Sequence, residues 1–132
     1  MHELILALLM AVSQVESGDN DRAVGDGGRS HGRLQIQLCV IEDVNRIYGT
    51  NYQPDCRYNT AAAKDIFTKY LQYYGRYYEH RTGRKATLDV LARIWNGGPN
   101  GWRKTSTEKY WRQVRPLVEE NSRPSRQYSF SG

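Results

Sequence analysis

The sequence predicts a mainly α-helical domain with a small loop or β-hairpin region inserted after its first helix. Three observations carry that expectation. An apolar run of helical character opens the chain, and an aperiodic stretch rich in Gly, Asp and Asn follows it. The remainder then alternates amphipathic segments with strong breakers. At 132 residues the chain fits one domain with a single core. The folded unit is expected over residues 1–120, with a polar tail that frays over 121–132.

Residues 2–16 are apolar on nearly every face, with Leu4, Leu6, Leu8, Leu9, Met10 and Val12, and so read as a helix in the middle of the domain. Residues 17–31 read as a loop or small hairpin, with Asp26-Gly27 as its turn. From Leu34 to Tyr48 the apolar residues drift into helical spacing and stop at Gly49. A polar connector with Pro54 leads to a long helix over 60–80, with Ala62, Ile66, Tyr70, Tyr73 and Tyr77 along one side. Another helix over 87–95 is stopped by Asn96-Gly97-Gly98-Pro99. A last amphipathic helix spans 106–120, capped by Thr105 or Ser106.

Composition narrows the function classes. The net charge of +5 favours a polyanionic partner: nucleic acid, an anionic membrane surface or a bacterial wall. The 19 Lys and Arg are scattered, however, and no helix carries a continuous basic stripe, which argues against nucleic acid. The run Leu4–Val12 is too short to span a membrane, and with His2 and Glu3 before it, it does not read as a signal peptide. Cys39 and Cys56 are too few for a disulfide framework; they either pair across a short loop or stay as separate thiols. His2, His31 and His80 lack metal-ligand spacing, so neither metal nor cofactor is expected.

Glu16 is the residue of chemical interest. It lies at the C-terminal end of an apolar helix, where the helix dipole disfavours an anion. Val12 and Val15 add desolvation, and both effects raise a carboxyl pKa. Read from these residues alone, it is either a poised acid or a solvated helix-end glutamate.

Three segments in order resemble the lysozyme superfamily. Glu16-Ser17 followed by Gly32-Arg33-Leu34-Gln35-Ile36 is similar to the E-S … G-x-x-Q-I signature of lysozymes and lytic transglycosylases. Arg93 to Gly101 resembles the R-x-x-N-G-G-P-x-G segment of invertebrate-type (destabilase) lysozymes, and Ser106 to Trp111 their S-x-T-x-x-Y-W segment. The resemblance covers roughly residues 10–115. It implies a lysozyme-like α+β fold and an enzyme that cleaves the β-1,4 bonds of peptidoglycan. The chain departs from the disulfide-rich animal enzymes, with His31 and Trp102 where they usually carry cysteine, which suggests a bacterial or phage relative. Arg33 stands where the family favours an apolar or aromatic residue and would bring a charge to the cleft border.

On this resemblance Glu16 is the general acid of glycoside cleavage. Asp26, six residues before Gly32, is the second carboxylate if the loop is one residue shorter; otherwise it is a turn residue. If none of Asp19, Asp21 and Asp26 reaches the cleft, a transglycosylase working with Glu16 alone is the better reading. Ser17 and Gln35 either orient the acid or hold the cleft loop. Asn96 would hold an N-acetyl group through buried donors, and Tyr110 matches a cleft tyrosine. Trp95 and Trp102 stack on sugars or pack in the core. The expected partner is a peptidoglycan strand, with chitin a possible substrate, bound by a monomer outside the cytoplasm or delivered by phage. A non-catalytic wall-binding module of the same fold is the alternative from another class.

Overall fold

The computed structural model describes residues 1–122, so most of the tail expected over 121–132 lies outside the described residues. Among the described residues five α-helices and one hairpin, joined in part by short 3-10 turns, make up the fold: α1 His2–Ser17, β1 Val24–Gly25, β2 Ser30–His31, α2 Leu38–Tyr48, α3 Thr60–Thr82, α4 Leu88–Gly97 and α5 Glu108–Asn121. The mainly helical architecture with a hairpin after the first helix is therefore present. Among the described residues no helix is long and apolar enough to cross a membrane.

The core forms where the helical faces meet. α1 packs on α5, α3 and α4, and α3 also packs on α2 and α4. Ile5, Leu8 and Val12 of α1 meet Ile66, Phe67 and Leu71 of α3, Leu91 and Ile94 of α4 and Val114 of α5, all fully buried. Each such side chain contributes roughly 1.5–3 kcal/mol through burial. Helix α1 is not enclosed all round as its composition suggests, since Leu6 and Met10 are 49% and 63% exposed.

Other departures follow from the same packing. The buried side of α3 is Ala63, Ile66, Phe67, Tyr70, Leu71, Tyr74 and Tyr78, whereas Tyr73 and Tyr77 face outward. Leu34 and Ile36 are buried from irregular chain, where Ile36 bridges to His31, so α2 begins only at Leu38. Asn96 and Gly97 belong to the last turn of α4 and do not end it. A 3-10 turn, Thr105–Thr107, takes up the expected cap residues and α5 starts at Glu108. Cys39 and Cys56 are both free thiols.

Candidate active site

One cleft of about 420 Å³ gathers the residues with chemistry. It is lined by Glu16 from the end of α1, Asp26 and Ser30 from the hairpin, Gln35 and Gln37 from the chain before α2, Tyr70 of α3, and Asn96 of α4. The exposed Lys104 is also part of the lining.

Glu16 occupies the last turn of α1, which carries no basic residue. Burial pushes its carboxyl up to about 7 from the ordinary 4.5. A hydrogen bond from Tyr110 pulls it back, the charge of Asp26 raises it further, and a polar contact from Trp95 lowers it slightly. The Tyr110 hydroxyl donates to Glu16 Oε2 at 3.0 Å. Tyr110 is itself buried, and that burial first, then the adjacent Glu16, lifts its own pKa well above the ordinary value. It stays a donor throughout the neutral range. Tyr110 is thus a support beneath the acid and not a wall of the cleft.

The hairpin brings Asp26 to the same cleft. Val24 pairs with His31 and Gly25 with Ser30, and Asp26 opens the turn between the strands. Asp26 Oδ2 accepts from the buried Ser30 hydroxyl at 2.5 Å. Asp26 and Gln35 both hold left-handed backbone, with φ of 52° and 51°. Non-glycine residues there store about 1 kcal/mol each, and such strain gathers at functional sites. Gln35 Nε2 donates to the Gly32 and Ala23 carbonyls at 2.9 and 3.3 Å, tying the loop across the base of the hairpin.

The remaining expected residues divide. Asn96 lines the cleft but is exposed and makes no side-chain hydrogen bond to another described residue, so it offers free rather than buried donors. Ser17 lies outside the lining; its hydroxyl donates to the Arg33 carbonyl at 2.8 Å and holds the loop. Arg33 turns from the cleft to pair with Asp21 at 2.7 Å, and Asp21 also accepts from Thr60 of α3. Asp21 is therefore structural. Trp95 packs edge-on against Phe67, as the core reading expects, and also lines the cleft. Trp102 packs on Tyr78 and lies outside the lining. Gln37 and Lys104 also line the cleft, and nothing local in the sequence places them beside Glu16.

Removing the Tyr110 hydroxyl removes an influence that lowers the Glu16 pKa. Tyr110→Phe is expected to move the alkaline limb of the pH–activity profile upward, whereas removing the Asp26 charge moves it down. Limbs unmoved in both variants would separate Glu16 from the titration.

No protein-family model matches the chain. It is 32% identical over 113 residues to Lysozyme 1 of Crassostrea virginica, an alignment covering 80% of this chain and 55% of that protein, so the chain spans about half of its length. In three dimensions it superposes on a chain from the crystal structure of Aeromonas hydrophila PliI in complex with Meretrix lusoria lysozyme. That match has a TM-score of 0.69 and 26% identity, and covers 84% of this chain and 88% of that one.

Proposed function

Because the chain is a lysozyme-like protein, a relative of the invertebrate lysozymes, we propose that it is a peptidoglycan hydrolase that cuts the β-1,4 bond between N-acetylmuramic acid and N-acetylglucosamine. One observation carries the reading: a carboxyl held protonated to about pH 7 shares a polar cleft with a second carboxylate. Glycoside cleavage needs that pair, a proton donor at the leaving oxygen and a base, nucleophile or charge opposite.

In this mechanism Glu16 Oε2 is occupied by Tyr110, so the proton leaves from Oε1 to the glycosidic oxygen. Asp26, steadied by Ser30, faces the oxocarbenium-like sugar that forms. Asn96 at the end of α4 offers its amide to the N-acetyl group. That Asp26 lines the cleft favours hydrolysis over a reaction that uses Glu16 alone.

Mass spectrometry of digested peptidoglycan tests the proposal. Reducing-end muropeptides are expected, and Asp26→Asn should lower kcat by about a hundredfold or more. Products ending only in 1,6-anhydro sugars, with Asp26→Asn nearly as active as the parent, would replace hydrolysis by transglycosylation. No cleavage would leave a binding module.

A further inference from the structure

The cleft lining contains two acids, which the chemistry uses, and one cation, which it does not: Lys104. We propose that Lys104 forms a subsite for a carboxylate carried by the substrate's peptide substituent, and that it makes the enzyme prefer carboxylate-bearing glycan strands to neutral ones. This rests on the glycosidase reading above.

The backbone at Lys104 is fixed by an unusually close joint. Gly101 lies so near α4 that a Cβ there would run into the Arg93 carbonyl oxygen. Arg93 in turn donates from Nη2 to the Lys104 carbonyl at 2.8 Å and from Nε to Thr107 Oγ1 at 2.8 Å. The Thr107 hydroxyl is buried and donates to the Gly101 carbonyl at 2.7 Å. The side chain is held as well. Lys104 Nζ donates to the Gly97 carbonyl at 2.7 Å, in the last turn of α4, where the helix dipole favours a cation.

An ammonium has three donors, and this bond uses one. No carboxylate among the described residues forms an ion pair with Lys104. A positioned cation with two unused N–H groups therefore borders a cleft whose other polar lining is neutral or acidic. Neutral aminosugar polymers offer it nothing that water does not. A stem-peptide carboxylate offers a charge-assisted hydrogen bond at a fixed place.

The test uses uncross-linked peptidoglycan strands and the same strands with their carboxyl groups converted to amides. The parent enzyme should show a KM about fivefold lower on the carboxylate form, with kcat within about twofold. Lys104→Gln keeps a donor for the Gly97 carbonyl but loses the charge. Its KM on the carboxylate strand should rise to the amidated value, with the amidated KM unchanged, and Lys104→Arg should restore the preference. The inference is overturned if Lys104→Gln still discriminates, or if it raises both KM values alike, as a purely structural role would. If the parent cleaves neither strand, the glycosidase reading falls and this subsite with it.

Discussion

Glu16→Gln is expected to lower kcat by about a thousandfold or more and, at pH 8, to make the protein more stable. The first effect follows from removing the transferable proton while keeping shape and the acceptor for Tyr110. The second follows from linkage. The native carboxyl titrates near 7 and the unfolded one near 4.5, so the native state binds the proton more tightly. The stability this confers is complete below about pH 4.5 and is lost as pH rises through 7, when the buried group must ionise. Glutamine has no charge to bury. The variant should therefore match the parent near pH 4 and exceed it at pH 8 by on the order of 2–3 kcal/mol, or roughly 5–10 °C in Tm. Thermal unfolding at the two pH values, with turnover of peptidoglycan, measures both. A variant that keeps its activity would remove Glu16 from the acid role. One with no pH-dependent gain would show that the carboxyl does not titrate near neutrality.

Gly32→Ala should cost roughly 3 kcal/mol and most of the activity. Gly32 holds φ at 81°, where a side chain is strained, and a Cβ would overlap the Arg57 carbonyl oxygen. Arg57 cannot easily give way, because it is buried and donates to the Pro54 and Ile36 carbonyls. The displaced chain would be the segment that carries Gln35 and pairs with the strand leading to Asp26. Gly83→Ala is the control: φ is 71° but nothing lies within 4 Å, so only the backbone strain of about 1 kcal/mol remains. Urea unfolding of the two variants separates close approach from strain. Equal losses would mean that the Arg57 contact matters little.

Much of the helical frame could be read from local pattern, because the core positions of α1 and α3 recur at helical spacing. Glu16 was legible because its position at the end of an apolar helix is a local fact, and the motif added the rest. What failed depended on distant partners. Leu34 and Ile36 open an apolar series that drifts into helical spacing, yet the His31–Ile36 bridge keeps Ile36 in irregular chain. Tyr73 and Tyr77 look like core residues until the true partner of α3 is known to lie on the Tyr70–Tyr74–Tyr78 side. Arg33 reads as a cleft charge, but Asp21, itself held by the Thr60 hydroxyl, draws it elsewhere. Lys104 reaches the cleft only because the chain after α4 folds back against Arg93.

The two carboxylates are anchored by different physics. Glu16 rides on a helix whose hold is apolar burial, while the loop leading to and from Asp26 is closed on itself by the Arg33–Asp21 pair and tied to α3 by the Thr60 hydroxyl at Asp21. Brine weakens exposed ion pairs and leaves apolar packing intact or stronger. A concentrated salt solution would thus slacken the loop while the acid stays seated, leaving a folded protein whose proton donor no longer has a well-placed companion.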